Sequence, residues 1–303
     1  MRFPALTTPI LLLLLPSALA QANTTLPIRA VSFNIRYAAT SLAEGERPWS
    51  ERRGPLISQL AQLDRGGPAN GLTILGLQEV LDGQLGDIKE GLGASWAHVG
   101  VARDDGAARG EYCPIVYRAD VLRLLYRETK WLSPTPDRPS YGWGAGSRRV
   151  VTIAVFEELG SWARFIVANT HLDNASAQAR TEGAKVVLER IRAVQEMWGP
   201  MGVVLTGDFN SGPGRDGHKV LADSGYLEEA FAVADAVGKV VGTNRNTFTG
   251  FTGSGGSFID FVWFGPEGTK TFFSVERYEI LTNVVSGLYI SDHRAVVADL
   301  ALT

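Results

Sequence analysis

Carboxylates, amides and histidines stand at the ends of apolar runs along this sequence. Asn34 lies in Val31-Ser32-Phe33-Asn34-Ile35-Arg36, and Glu79 closes Ile74-Leu75-Gly76-Leu77-Gln78-Glu79. His171 follows Val167-Ala168-Asn169-Thr170, and Asp208 and Asn210 follow Val203-Val204-Leu205-Thr206-Gly207. Asp260 sits inside Phe258-Ile259-Asp260-Phe261-Val262-Trp263, and Asp292-His293 precedes the last apolar run. Carboxylates with an amide can hold a hard divalent cation. A histidine beside an aspartate can move a proton or stabilise a developing anion. Taken singly, an acid or amide at a strand end is better read as a turn cap. Asp260 is harder to dismiss, because a charge buried without a partner is costly.

The runs themselves must position these groups. Strand-like stretches rich in Val, Ile and aromatics cover 28–35, 72–77, 114–117, 121–130, 150–156, 163–170, 203–206, 258–264, 272–280 and 295–300. Ser50 is placed to cap a helix running to about Leu63, with Leu56, Leu60 and Leu63 on one face. A second helix is expected over 85–92, weakened by Gly86 and Gly91. The strongest helix is 175–198, where Ala184, Val187, Ile191 and Val194 form one stripe. Many strands interleaved with a few helices imply two packed sheets flanked by helices. The Pro/Gly-containing stretch 132–147 and the Gly/Ser stretch 252–257 read as loops within one domain.

Composition narrows the class. The chain has 303 residues, 45% hydrophobic and 20% charged, enough to bury a sizeable core without disulfides. The formal net charge of −3 comes without any basic block, so no stripe advertises nucleic acid. A bound cation can supply the positive charge that a phosphate needs. The start carries an export signal: Arg2, the apolar run Ile10–Leu15, and Ala18-Leu19-Ala20 for cleavage, so that 1–20 form a signal peptide and 21–27 a short N-terminal segment. The protein is therefore expected to be secreted, without stable membrane insertion. Its single cysteine, Cys113, reads as a buried structural thiol, since no cysteine-hydrolase signature surrounds it. Sequons begin at Asn23 and Asn174 and would make a secreted chain a glycoprotein.

Read together and in order, Leu77-Gln78-Glu79, Asn169-Thr170-His171, Gly207-Asp208-Phe209-Asn210, Ile259-Asp260-Phe261 and Ser291-Asp292-His293 resemble the endonuclease/exonuclease/phosphatase superfamily. The likeness runs from Ile28 to about Leu300, which makes 28–303 one domain. Trp49 to Arg53, Arg103 to Gly106, Gly110-Glu111-Tyr112 and Arg149 to Thr152 are similar to a secreted or bacterial branch of it. Two of the four histidines fall in the matching motifs; His98 and His218 do not, and read as ordinary structural or surface residues.

The resemblance implies an α/β fold, a four-layer αββα sandwich with two mixed sheets inside. It implies magnesium (or manganese) held by Glu79 and Asp292, with Asn34 supporting that shell. Asp208 would orient or deprotonate the attacking water, Asn210 would hold water and phosphate, and His293, oriented by Asp260, would stabilise the transition state or donate a proton. His171 would contact a phosphate oxygen, oriented by Glu111, and Arg149 would offer a charged fork to the phosphate or act structurally. Where some nucleases of the superfamily carry an acid two positions after the first asparagine, this chain has Arg36, which leans toward one metal. The partner expected is a phosphate ester, with no protein partner implied. Direct hydrolysis of a phosphodiester in DNA or RNA ranks first, phosphatase action on inositol phosphates, phospholipid head groups or nucleotides second, and an inactive binding protein on the same fold last.

Overall fold

The computed structural model describes residues 25–69, 71–253, 255–266 and 272–303. The signal peptide expected at 1–20 and the sequon at Asn23 lie outside them. The chain begins with β1 (Leu26–Asn34), α1 (Trp49–Arg65), β2 (Leu72–Gln78), α2 (Asp82–Leu92), β3 (Trp96–Val99) and β4 (Ile115–Arg118). Next come β5 (Leu122–Trp131), β6 (Val150–Glu158), β7 (Arg164–His171), α3 (Ala177–Trp198), β8 (Gly202–Asp208) and α4 (Asp216–Ala222). Then follow β9 (Glu228–Glu229), α5 (Ala230–Ala236), β10 (Val240–Val241), β11 (Asp260–Gly265), β12 (Phe273–Ile280), β13 (Val284–Val285), β14 (Leu288–Tyr289) and β15 (Val296–Leu302).

One sheet has the order β10-β12-β15-β1-β2-β4-β3, the other β5-β6-β7-β8-β11-β9, and β13 and β14 form a small separate pair. Both large sheets are mixed: β1 and β2 run parallel in one, β7 and β8 in the other. Three apolar clusters show how the layers stack. Leu56, Leu60 and Leu63 of α1 with Leu85 and Ile88 of α2 cover the outer face of the first sheet. Ala184, Val187, Ile191 and Val194 of α3 cover the outer face of the second. Ile28, Ile74, Phe156, Val167, Val204 and Leu300 fill the space between the sheets. The result is a four-layer αββα sandwich.

The two-residue period of a strand decides which side chains meet between the sheets. Along β1, Ile28 and Ala30 face the second sheet while Val31 and Phe33 face the helices. The same alternation puts Gln78, Asn169 and Thr206 on the inner face just below the ends of β2, β7 and β8. Gln78 Nε2 donates to Asn169 Oδ1 at 2.7 Å, and Thr206 Oγ1 donates to the same oxygen at 3.0 Å. Asn169 Nδ2 donates to the carbonyls of Leu77 and Pro114 at 2.7 and 2.9 Å. This polar cross-link is completely buried and ties one sheet to the other.

Several sequence expectations shift. The first helix starts at Trp49 with Pro48, not Ser50, at its cap, because Pro48 has the extended backbone a cap requires and Ser50 is already helical. The longest helix starts at Ala177, capped by Ser176 Oγ, which accepts from Ala179 N at 3.1 Å. β3, α4 and α5 carry too few residues for a periodic signal and were not anticipated.

Two outcomes follow for the core. A Cβ on Gly76 would meet Thr206 Oγ1 at 1.9 Å and Asn169 Oδ1 at 3.0 Å. Gly76→Ala, ordinarily favourable in a strand, should instead destabilise the protein by about 1–3 kcal/mol on thermal or urea unfolding. Cys113 is buried. Burial, with Glu111 nearby, pushes its thiol up to about 12. Iodoacetamide at pH 8 should leave Cys113 unlabelled in the native protein and label it once unfolded, as read by intact mass.

Candidate active site

The strand ends place the chemistry in two facing rows. Along the first sheet, in the order β15, β1, β2, β4, stand Asp292 and His293, then Asn34, then Glu79, then Glu111. Along the second, in the order β6, β7, β8, β11, stand Arg149, His171, Asp208 and Asp260. β1 faces β8 and β11, β2 faces β7 and β8, and β4 faces β7, so the rows oppose each other across a cleft. A pocket of about 440 Å³ there is lined by Glu79, Glu111, Arg149, His171, Asp208, Asn210, Asp292 and His293. Asn34 and Asp260 lie fully buried against it.

Local backbone geometry turns the chain at these ends. Arg36, Glu79 and Asn210 all have φ near +50 to +60°, a strained conformation for residues with a Cβ, and each lies one or two residues past the end of a site strand. Side chains hold two of these turns: Asn34 Oδ1 accepts from Arg36 N at 3.0 Å, and Asp208 Oδ1 accepts from Asn210 N at 2.9 Å. Arg52 of α1, fully buried, fixes the loop behind. All five of its N–H bonds go to carbonyls: Arg47, Ile35, Ile290, Arg36 and Tyr37.

The acids are held close together. Asn34 Nδ2 donates both to Glu79 Oε1 at 3.1 Å and to Asp208 Oδ2 at 3.0 Å, and Glu79 Oε2 accepts from Tyr37 N at 3.1 Å. His293 Nδ1 donates to Asp260 Oδ2 at 2.8 Å, and its Nε2 lies 3.7 Å from Asp208 Oδ2. Burial alone would depress His293, but Asp260 and Asp208 raise it to about 10, so the ring is an imidazolium. Burial and the neighbouring Asp260 raise Asp208 to about 7. Asp292 is raised by burial and by Glu79, against the pull of His293.

His171 behaves differently from His293. Asn210 Nδ2 donates to the Leu172 carbonyl at 3.0 Å and to His171 Nε2 at 2.9 Å. The same Nε2 also lies 3.4 Å from Asp208 Oδ2. Burial and the Arg149 and Arg103 charges hold His171 well below the usual histidine range. Glu111, expected to orient His171, stands 4.0 Å from its Nδ1 and is instead gripped by Arg103 through two bonds of 2.8 and 2.7 Å. The hydrogen bond that His171 makes is the one with Asn210. Arg149, offered as a fork for phosphate, spends Nε on Asp173 at 3.3 Å and Nη2 on Asn174 at 3.0 Å. Its Nη1 is buried without a partner.

A divalent cation fits this donor set. Among the described residues, Asp208, Asp260 and His293 bring ligand-type atoms within 4.8 Å of one another. Asp260 and His293 are already bonded to each other at 2.8 Å, His293 Nδ1 donating to Asp260 Oδ2, so this pair is committed to an internal ion pair. Glu79 and Asp292 are the better pair: their mutual repulsion is what a hard cation would relieve, and carboxylate oxygens are its preferred ligands. Asn34 supports that pair by clamping Glu79 to Asp208. Arg36 is turned aside: Glu46, with a fully buried side chain, accepts from its Nε at 3.0 Å and its Nη2 at 3.2 Å.

Sequence reasoning missed several pocket residues: Tyr37, Ser147, Phe248 and Ile259. Most lie in loops, where no periodic signal exists. His98 and His218 lie away from the pocket. His218 is buried, accepting from Gly214 N at 3.0 Å and facing Glu229 at 3.3 Å.

Comparison with known proteins agrees with this geometry. The model of the endonuclease/exonuclease/phosphatase family matches residues 31–293, and the chain belongs to that family, whose members are divalent-metal-dependent hydrolases of phosphate esters. A family protein from Bacteroides thetaiotaomicron is 28% identical, with a TM-score of 0.79, covering 92% of this chain and 99% of its own. One from Bacteroides vulgatus is 31% identical, with a TM-score of 0.78, covering 91% and 99%. A mannosyl-6-phosphatase from Bacteroides thetaiotaomicron is 29% identical, with a TM-score of 0.77, covering 91% and 99%. No curated protein is significantly similar in sequence.

The metal reading has a direct consequence. Saturating manganese should raise the melting temperature of the wild type, by about 2.7 kcal/mol of stabilisation at a hundredfold excess over Kd. In Glu79→Gln that rise should disappear, as measured by differential scanning fluorimetry or calorimetry.

Proposed function

We propose that the protein is an exported, divalent-metal-dependent phosphoesterase that hydrolyses a small phosphate monoester by direct attack of water. The observation that carries this reading is the polar pocket of about 440 Å³, in which an imidazolium, a carboxylate near neutrality and two cation-binding acids converge. A pocket of that size suits a single small ligand. The phosphatase among the similar structures is 29% identical over nearly the whole chain, which favours a monoester over the nuclease action ranked first from sequence. The net charge of −3 points the same way. Export rests on the apolar run Ile10–Leu15 and the small residues that follow it.

The roles follow from the bonds. Asp208, held at about 7, accepts a proton from the attacking water near neutral pH. Asn210, fixed by Leu172 and His171, orients that water and a phosphate oxygen. His293, kept charged by Asp260, donates from Nε2 to the phosphoryl oxygens as negative charge builds on them. His171 acts through Asn210. A magnesium or manganese ion bound by Glu79 and Asp292 supplies Lewis-acid neutralisation of the phosphate. Asn34 keeps Glu79 and Asp208 at fixed separation.

The test is a hydrolysis panel with manganese or magnesium and with chelator: hexose 6-phosphates, nucleotides, inositol phosphates, a simple phosphodiester, DNA and RNA. Chelator-sensitive release of phosphate from small monoesters is expected. Asp208→Asn and His293→Ala should each lower kcat by about 10²–10⁴ with the fold intact by circular dichroism. Faster turnover of DNA or RNA than of any monoester would return the nuclease reading. Cation binding without turnover of any substrate would make the chain a binding protein.

A further inference from the structure

The far half of the pocket takes no part in the steps above. Arg149, His171 and Asp208 stand on three successive strands, β6, β7 and β8. Neighbouring strands lie about 4.8 Å apart, so Arg149 is set about 10 Å along the row from Asp208. Around it are Arg103, Glu111, Ser147 and Asn174. The charges there cancel in pairs: Arg103 with Glu111 at 2.7 Å, and Arg149 with Asp173 at 3.3 Å. Asn174 Oδ1 adds an acceptor beside Arg149. What remains unsatisfied is mainly donors: Arg149 Nη1 and Arg103 Nε, with the ring nitrogen His171 Nδ1 beside them, are buried and bond to nothing within the protein.

We infer that this wall is the subsite for the alcohol side of the ester, and that the alcohol is a neutral, sugar-like polyol. The inference rests on the phosphoesterase reading and names its substrate class. A hydroxyl both donates and accepts, so adjacent hydroxyls match a wall of guanidinium N–H groups alternating with carboxylate and amide oxygens. An apolar leaving group would keep Arg149 Nη1 buried and unpaired. A second phosphate would meet Glu111 and the Asn174 oxygen along with the two guanidiniums, whose charges Glu111 and the buried Asp173 already balance, with no excess of positive charge to hold it. In the reaction, the water oxygen bonds to phosphorus as Asp208 takes its proton, the bond from phosphorus to the alcohol oxygen breaks, and that oxygen takes a proton from solvent and leaves as the free polyol, while Asp208 returns its proton to solvent.

The test compares a hexose 6-phosphate, a hexose bisphosphate and p-nitrophenyl phosphate on the manganese-loaded enzyme. Two variants are used, Arg149→Met and, because Arg149 is buried, the exposed Asn174→Ala. The ratio of kcat/KM for hexose 6-phosphate to that for p-nitrophenyl phosphate should fall about 10- to 100-fold in Arg149→Met, through KM. A smaller fall in the same direction is expected in Asn174→Ala. If Arg149→Met does not fold, Asn174→Ala decides. An unchanged ratio would overturn the subsite. A wild-type preference for the bisphosphate that Arg149→Met abolishes would overturn the neutral polyol in favour of a second anion. A wild type that hydrolyses none of the three, while still binding manganese, would overturn the phosphoesterase reading and this inference with it.

Discussion

The buried bond from Gln78 to Asn169, with Thr206 on the same oxygen, is the constraint on which the site depends. Apolar packing between two sheets is strong but not directional, and by itself it would tolerate small slips of one sheet over the other. Hydrogen bonds do not tolerate them. Gln78 is one residue before Glu79, Asn169 two before His171, and Thr206 two before Asp208. Fixing these three side chains therefore fixes the separation of the two catalytic rows. Gly76 makes the arrangement possible, since any side chain there would occupy the space of Thr206.

A second layer of order comes from turns. The left-handed residues Arg36, Glu79 and Asn210 redirect the chain at the ends of β1, β2 and β8, so that polar groups face one another where the strands would otherwise diverge. Asn34 and Asp208 each do double duty there. One oxygen of each closes its own turn, while Asn34's amide hydrogens reach Glu79 and Asp208. Strain at each turn is thus opposed by the hydrogen bonds of the group it presents.

Much of this was legible in the sequence. The apolar runs ending in Asn34, Glu79, His171 and Asp208 told where the strands stop. The αββα layering followed from the ordered motifs. Pairings in the cleft were not legible. That Glu111 belongs to Arg103, and that Arg149 leans on Asp173 and Asn174, depends on loop paths that no periodicity encodes. The hydrogen bond at His171 Nε2 comes from a residue 39 positions away. Ser50 resembles a helix cap in type, yet Pro48 holds that place because backbone conformation, not side-chain identity, sets where the helix begins.

Arg52 carries a consequence of another kind. Its guanidinium is saturated by five carbonyls and so binds the Ile35–Tyr37 turn and Ile290 to the body of α1. The turn beyond Asn34 and the approach to Asp292 are therefore tied to a helix, while the opposite wall draws on loops around Arg103, Ser147 and Asn174. The two halves differ in how they can change over descent. A substitution in the loops can retune what is held without disturbing how it is cut, whereas a change at Arg52 would alter the shape of the cutting edge itself. In a fold of this design, new substrates can be acquired by drift on one bank of the cleft while the other stays still.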